Sequence, residues 1–168
     1  MTGLKHITLR PARDADAADI AALIARVFAE YDGCLFVPEE FPELAAPASY
    51  YAAKGGQLWV AEQDGEIIGS IALFPRSTPG VFELGKMYVA IHLRGAGVAR
   101  DLLARAFDQA RAQQAKEIIL FSDARFARGH AFYEKNGFVR LPGVRLLHDL
   151  SRSLEFPFRL ALPSEGVK

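Results

Sequence analysis

The segment around residues 94–100 combines two glycines with two arginines at the start of an amphipathic stretch. Gly95 and Gly97 stand directly before a helical pattern of apolar residues that runs to about residue 114. The first N–H groups of a helix have no partner inside the helix, and together with the helix dipole they attract anions. Glycine lets a ligand approach the backbone closely, and Arg94 and Arg100 add positive charge. The segment therefore predicts a pyrophosphate-binding loop, with a plain tight turn between strand and helix as the alternative.

The residues around these glycines exclude two common phosphate-binding motifs. A P-loop requires Gly-Lys-Ser or Gly-Lys-Thr, which the segment lacks. A dinucleotide-binding fingerprint requires a third glycine where Arg100 stands, and an acidic residue at the end of the next strand, whereas Glu117 begins that strand. The anion site must therefore belong to a different class.

Two motifs, in the correct order, resemble the GNAT superfamily of acyl-CoA-dependent N-acyltransferases. The segment Arg94-Gly-Ala-Gly-Val-Ala99 is similar to the family's Arg/Gln-x-x-Gly-x-Gly/Ala signature. The strand before it, Glu83-Leu-Gly-Lys-Met-Tyr-Val89, is similar to the strand that precedes this signature in the family. The segment Phe132-Tyr-Glu-Lys-Asn-Gly-Phe138 resembles the second family signature, and the resemblance spans about residues 4–162. It implies an acetyl-CoA-dependent N-acetyltransferase.

The resemblance assigns the acetyl-CoA site to this strand and loop. Backbone groups of Met87 and Val89 would pair with the pantetheine arm like an added strand, and the N–H groups from Gly95 to Arg100 would hold the pyrophosphate. A bulge near Met87 would separate this strand from the next and leave a slot for the thioester. The implied acetyl-CoA-binding residues are Met87, Tyr88, Val89, Arg94, Gly95, Ala96, Gly97, Val98, Ala99 and Arg100.

Tyr133 and Glu83 are the candidates for proton transfer. N-acetylation needs a base for the ammonium proton and an acid for the leaving thiolate. A phenol keeps its proton near neutral pH, so Tyr133 suits the acid, and the resemblance places a Tyr in that role. An acid in an apolar strand is expected to have a raised pKa, which suits Glu83 as the base. The alternatives are a packed aromatic for Tyr133 and a structural carboxylate, paired with Lys86 or an arginine, for Glu83.

Other residue types add little chemistry. Phe126 departs from the family pattern, because many members place a CoA-contacting Asn seven residues before the tyrosine. The four histidines and one cysteine show no zinc spacing, so no metal is expected. Cys34 is interpreted as a small buried residue, and a covalent role for it is the less favoured alternative.

An acidic and aromatic segment, residues 30–43, is the candidate acceptor region. In the family the corresponding region covers the acceptor site, and carboxylates with aromatic faces suit a cationic amine. Glu30, Tyr31 and Phe36 are therefore candidate substrate-binding residues, with a solvated surface loop as the alternative. His130 shares a helical face with Tyr133 and is a fourth candidate, with a structural role as its alternative.

The elements that must position these residues follow from hydrophobic periodicity. Asp64-Gly65 between two apolar runs predicts a hairpin, and residues 31–48 predict a long irregular loop. The order of elements predicts an α/β fold, with a mixed, mostly antiparallel sheet of about seven strands and helices on both faces. Predicted strands cover residues 5–10, 57–63, 66–74, 81–91, 117–121, 138–148 and 154–162, and predicted helices cover residues 20–28, 49–54, 97–114 and 125–136.

The composition is that of one globular domain over residues 1–168, because 51% of the residues are hydrophobic and 24% are charged. The absence of a signal peptide or long apolar run, together with a single cysteine, predicts a cytoplasmic protein that does not contact a membrane. The net charge of +0 argues against nucleic acid as a partner. This zero is a cancellation, since residues 1–85 carry −6 and residues 86–168 carry +6.

These observations predict transfer of an acetyl group from acetyl-CoA to the primary amine of a small molecule, by direct attack in a ternary complex. Two alternatives stay open: a regulatory module that binds acyl-CoA without turnover, and a protein or peptide lysine acetyltransferase. A homodimer is a further expectation, because two-fold dimers are the commonest oligomers.

Overall fold

A computed structural model describes residues 6–164 of the chain. Within this range the chain forms one sheet and four α-helices. The strands are β1 (Ile7–Pro11), β2 (Gln57–Gln63), β3 (Glu66–Pro75), β4 (Val81–Val89), β5 (Glu117–Asp123), β6 (Val139–Arg140), β7 (Arg145–Leu146) and β8 (Leu154–Ala161). The helices are α1 (Ala17–Phe28), α2 (Pro47–Ala53), α3 (Val98–Ala112) and α4 (Ala127–Lys135). Residue 5, with which the first predicted strand begins, lies outside the described range.

The sheet is mixed and mostly antiparallel, as predicted. Its strands lie in the order β1-β2-β3-β4-β5-β8-β6, and β7 pairs with β8 beyond this path. The pair β4–β5 is parallel, and the other pairs between described residues are antiparallel. The eight strands agree with the predicted number of about seven, but the single strand predicted over residues 138–148 is wrong, because this segment forms two strands of two residues each. Pro142 cannot donate to a ladder and Gly143 has φ +95°, so the strand is interrupted there.

The helices bury apolar stripes against the middle of the sheet. Both α1 and α3 pack against β3 and β4. Gly69 in β3 permits the approach of α3, since a Cβ at this position would come within 3.0 Å of Leu102 and 3.2 Å of Val98. The stripe of α1 follows the predicted helical spacing and consists of Ile20, Leu23, Ile24, Val27 and Phe28, all buried.

Two irregularities open the sheet at β4. Between β3 and β4 the register shifts, so that Lys86 and Met87 together oppose a single residue of β3. Lys86 has φ +50°, and its carbonyl accepts a hydrogen bond from the Ser70 hydroxyl at 2.6 Å. On the other side, β4 pairs with β5 only over residues 81–84 and diverges from it afterwards. The bulge therefore lies where the sequence predicted it, and a gap opens between β4 and β5.

The segment between α1 and α2 covers this end of the sheet. It is irregular, as predicted, and contains two 3₁₀ turns, Pro38–Glu40 and Pro42–Ala45, each of which begins with proline. Phe36 and Phe41 stack at 5.3 Å between ring centroids, and both rings lie against Phe28 of α1. Across residues 6–164, none of the helices is both long and apolar enough to cross a bilayer.

Candidate active site

A cavity of about 390 Å³ lies between β4, the loop that follows it and α4. We refer to it as cavity 1. The end of β4, the start of α3 and one face of α4 form its walls. The predicted acetyl-CoA-binding residues that line it are Met87, Tyr88, Val89, Arg94, Gly95, Gly97, Val98, Ala99 and Arg100.

The loop before α3 presents backbone donors to cavity 1. Gly95 and Gly97 have φ values of +86° and +85°, which glycine adopts without strain. Within residues 6–164, no backbone acceptor binds the N–H groups of Gly95, Gly97, Val98, Ala99 or Arg100. Ala96 differs, because its N–H donates to the Leu93 carbonyl at 3.2 Å and its side chain does not line the cavity. Five unpaired N–H groups at a helix N-terminus fit a pyrophosphate.

The charges around cavity 1 also fit an anion. Among the described residues that line it, four are cationic and none is acidic: Arg94, Arg100, Arg128 and Lys135. The Arg94 guanidinium forms a bidentate ion pair with Glu30, two residues after α1, and donates to the Val89 carbonyl at 3.2 Å. Glu30 therefore lies beside the glycine loop, where its carboxylate is paired, and it lines neither this cavity nor the one described next.

A second cavity of about 270 Å³, cavity 2, lies on the other side of the gap between β4 and β5. Its walls come from the segment 28–41, from β4 and β5, and from residues 145–155. Its charge is opposite to that of cavity 1, since its described lining contains five carboxylates and two cations. These charged residues are Glu40, Glu83, Lys86, Asp123, Arg145, Asp149 and Glu155.

The two cavities meet at the gap between the strands. Five residues line both of them: Met87, Tyr88, Ser122, Phe126 and Tyr133. Phe126 occupies the position at which the resembled family has an Asn, and its ring packs against Tyr31 at 4.9 Å and Phe28 at 6.0 Å. A ligand in cavity 1 and another in cavity 2 would therefore meet beside Tyr133.

Tyr133 combines a packed ring with a free hydroxyl. Its ring lies 5.8 Å from each of the rings of Phe132, Phe138 and Phe158. Burial raises the pKa of Tyr133, so the phenol keeps its proton at neutral pH. Within residues 6–164 its hydroxyl has no hydrogen-bond partner, and it remains available to a ligand.

Glu83 is a buried carboxylate in the wall of cavity 2. One oxygen, Oε2, accepts a hydrogen bond from the Arg76 guanidinium at 2.7 Å. Burial raises the pKa of Glu83, and the positive charges of Arg76 and Arg145 oppose this effect. The arginine partner that the sequence left open for Glu83 is thus Arg76, while Lys86 pairs with Glu43 instead.

Cys34 lines cavity 2 but is a poor nucleophile. Burial, with a smaller contribution from the charge of Asp123, raises the pKa of the Cys34 thiol to about 11. Because the thiolate is the reactive form, this environment argues against covalent chemistry at Cys34. Within residues 6–164, no group of three or more His, Cys, Asp and Glu side chains is arranged to hold a metal ion.

Comparison with known proteins connects this geometry to a family. Residues 54–140 match the family model described as an acetyltransferase (GNAT) domain. The chain is 35% identical over 144 residues to the uncharacterized N-acetyltransferase YjgM of Escherichia coli (strain K12), covering 82% of each protein. The chain belongs to the GNAT acetyltransferase family.

Two further comparisons place this acetyltransferase within the family. It is 32% identical over 94 residues to the N-acetylaspartate synthetase of Danio rerio. The aligned segment covers 56% of this chain but only 33% of that protein. Its fold matches the crystal structure of a GNAT-family acetyltransferase from Staphylococcus aureus Mu50 with a TM-score of 0.80 at 20% identity, over 94% of this chain and 100% of that one. The family match and the relatives identify the chain as an acetyl-CoA-dependent N-acetyltransferase, and the structural comparison shows that it has the fold of the family.

The three other candidate substrate-binding residues of this acetyltransferase, Tyr31, Phe36 and His130, do not line cavity 2. Tyr31 lines cavity 1, and the ring of Phe36 stacks on the ring of Phe41. His130 Nε2 donates to the Asp123 carbonyl at 2.9 Å, and its ring packs beside Phe156 and Phe158. Burial lowers the pKa of His130, which is consistent with a neutral structural side chain.

Sequence reasoning missed several residues that the fold brings to the two cavities. Arg128 and Lys135 line cavity 1 from α4 and are seven positions apart, so helical spacing, which places them on one face of α4, could have identified them as a pair. Arg145 and Asp149 reach cavity 2 from the segment before β8, and no local pattern marks them. Arg145 stacks on the Phe121 ring with 3.7 Å between guanidinium carbon and ring centroid, and it pairs with Glu155.

Proposed function

We propose that this acetyltransferase transfers the acetyl group of acetyl-CoA to the primary amine of a small molecule by direct attack in a ternary complex, within a single domain. The observation that carries the proposal is the meeting of two oppositely charged cavities beside Tyr133. A site for an anionic donor on one side of the gap and a site for an amine on the other would bring both reactants together without a covalent enzyme intermediate.

The residues of cavity 1 would hold the donor. The unpaired N–H groups from Gly97 to Arg100 would bind the pyrophosphate, and Arg128 and Lys135 would bind phosphate charge from α4. The carbonyl and N–H groups of β4 that face the gap would pair with the pantetheine arm, since β5 has already diverged there. Acetyl-CoA supplies the acetyl group as a reactive thioester.

Glu83 and Tyr133 would move the two protons of the reaction. The Glu83 carboxylate takes a proton from the ammonium group, directly or through a water, so that the nitrogen lone pair can attack the acetyl carbonyl carbon. A C–N bond forms, the C–S bond breaks, and the electron pair of that bond leaves with sulfur. The Tyr133 hydroxyl then donates its proton to the thiolate. The second proton, which the nitrogen loses as the amide forms, returns to the Tyr133 phenolate, and Glu83 releases its proton to solvent, so the products are an N-acetylated amine and free CoA.

The lining of cavity 2 supports a cationic acceptor. Three of its carboxylates have cationic partners: Glu83 with Arg76, Asp123 with Arg125, and Glu155 with Arg145. The other two have none within residues 6–164. Glu40 accepts the Leu150 N–H, and Asp149 is bonded by the N–H and hydroxyl of Ser153. The excess of negative charge favours an ammonium group that approaches from this side.

The test is a measurement of CoA release over amines of matched size and different charge, with mass spectrometry of the product. A small diamine should be turned over with a higher kcat/KM than a neutral monoamine, and its kcat/KM should fall as salt is added. An acidic amino acid is the third arm, because a relative carries the name N-acetylaspartate synthetase. Its preference over the diamine would contradict the proposed acceptor charge.

Two outcomes would favour the other functions. If acetyl-CoA raises the melting temperature but no amine releases CoA, the chain is a binding module without turnover. If a basic lysine peptide outcompetes every small amine, the acceptor is a protein. Preferential turnover of a small amine contradicts both.

A further inference from the structure

The two oxygens of the Glu83 carboxylate have different surroundings. Oε2 accepts the 2.7 Å hydrogen bond from Arg76, whereas Oε1 has no hydrogen-bond donor within residues 6–164. The carboxylate is nearly buried, with its side chain 11% exposed, and it lines cavity 2. One oxygen is therefore held while the other stays available to the contents of the cavity.

The hairpin between β3 and β4 places Arg76 next to this carboxylate. The Arg76 N–H donates to the Val81 carbonyl at 2.8 Å, which makes Val81 its neighbour across the hairpin. Val81 and Glu83 are two positions apart on β4, so their side chains lie on the same face of the sheet. Glu83 is therefore diagonally opposite Arg76, within reach of its long side chain. The Arg76 side chain is 44% exposed, and its guanidinium reaches Glu83 without lining cavity 2.

We propose that Arg76 is a positioning residue for the general base: it fixes one oxygen of Glu83, keeps the carboxylate ionised, and leaves the second oxygen to accept the ammonium proton. This inference rests on the proposed function, because it requires Glu83 to be the base. Arg76 does not line either cavity, so it acts on the reaction through Glu83 alone.

The charges around Glu83 explain why a cation is needed there. Burial raises the pKa of Glu83, and the nearby carboxylate of Glu155 raises it further. The positive charges of Arg76 and Arg145 lower the pKa of Glu83, and the Tyr51 hydroxyl also lies near this carboxylate. Arg145 is already bonded to Glu155, so Arg76 is the cation that bonds directly to Glu83.

The test compares Arg76→Gln and Arg76→Lys with the wild type and with a matched control, Arg159→Gln. Arg159 is similarly exposed, at 49%, and pairs with a strand glutamate, Glu117, that lines neither cavity. The first readout is a ¹³C NMR titration of the Glu83 carboxyl carbon in protein without acetyl-CoA, assigned with Glu83→Gln. The second is the pH dependence of kcat/KM for the amine.

Removal of a directly bonded cation should raise the pKa of Glu83 by about one unit, at the low end for a close opposite charge because Arg76 is half exposed. In Arg76→Gln both the titration and the acidic limb of kcat/KM should move to higher pH by this amount. Arg76→Lys should lie between Arg76→Gln and the wild type, and Arg159→Gln should superimpose on the wild type.

The outcomes separate this inference from the proposed function. If Arg76→Gln titrates like the wild type, or loses activity and melting temperature with no shift of the acidic limb, Arg76 is merely structural and the inference is wrong. If Glu83→Gln retains full activity, the base role of Glu83 fails. In that case a shifted titration in Arg76→Gln would still show the pairing, but not a function in catalysis.

Discussion

Replacement of Tyr133 by phenylalanine removes the proposed acid and changes almost nothing else. The hydroxyl has no hydrogen-bond partner within residues 6–164, so its loss leaves no protein group unsatisfied. The ring contacts with Phe132, Phe138 and Phe158 are retained, because all three involve the ring and not the hydroxyl. The free energy of unfolding should therefore change by less than about 0.5 kcal/mol.

The loss in rate should be much larger than the loss in stability. General acid catalysis by a positioned group contributes at least about 100-fold, which corresponds to about 2.7 kcal/mol of transition-state stabilisation. We expect Tyr133→Phe to lower kcat by about this factor, while the Kd for acetyl-CoA stays within about twofold, because backbone donors provide most of the proposed binding.

The assay is the initial rate of CoA release at saturating acetyl-CoA and amine, with melting temperatures measured in parallel. Tyr50→Phe is the control, because Tyr50 lies on α2, lines neither cavity and also loses only a hydroxyl. A kcat for Tyr133→Phe within threefold of the wild type would refute the acid role. An equal loss in Tyr50→Phe would attribute the effect to the fold.

Three further predictions concern the base and the donor site. With Glu83 as the proposed base, its ionised form is the one that acts, and burial raises its pKa, so kcat/KM should be full above this raised pKa and fall below it. Glu83→Gln should lower kcat/KM about 100-fold and remove this acidic limb. Gly97→Ala and its control Gly65→Ala both place alanine at a left-handed φ, so each should lower the free energy of unfolding by about 1 kcal/mol. Only Gly97→Ala should also weaken acetyl-CoA binding, measured by calorimetry. An unchanged Kd in Gly97→Ala would contradict the phosphate-binding role of the loop. Arg128→Gln should raise the Kd for acetyl-CoA about fivefold at low salt and less at high salt. The control Arg111→Gln, on the exposed side of α3, should leave this Kd unchanged. Equal effects of the two substitutions would mean that only the overall charge of the protein matters.

Local patterns predicted most of the fold. The Asp64-Gly65 turn joins β2 and β3 as expected, because both residues adopt the positive φ that this hairpin turn requires. The spacing of apolar residues likewise located α1 and α3 to within a few residues. The sequence failed between residues 138 and 148, where an apolar run suggested one strand. There Pro142 and Gly143 interrupt the strand, and the two short strands that remain, β6 and β7, both pair with β8.

The candidate site was predictable where it consists of backbone. The glycine loop and the bulged strand are local features of the backbone, and local sequence motifs predicted both. The same motifs contain Tyr133 and Glu83, which the fold brings to the walls of the cavities. Contacts over long sequence separations were not predictable. The ion pair of Glu30 with Arg94 joins residues 64 positions apart, and the Ser151 hydroxyl binds the Leu35 backbone across 116 positions. Spacing carries no information about such contacts, so the sequence did not predict the ion pair of Glu30 with the loop before α3.

The proposed mechanism requires that the acetyl group passes from acetyl-CoA in cavity 1 to the amine in cavity 2 without an acetylated enzyme. A single-turnover experiment with acetyl-CoA that carries a ¹³C-labelled acetyl group is the most direct test of this requirement. Enzyme and labelled donor are mixed in equal amounts, with and without the best amine from the panel, and the label is followed by mass spectrometry of protein and small molecules. Direct transfer predicts that the label moves only when the amine is present, that it is found only on the amine nitrogen, and that Tyr133→Phe slows this step. Label on the protein in the absence of the amine, or no transfer to any amine from bound acetyl-CoA, would contradict it.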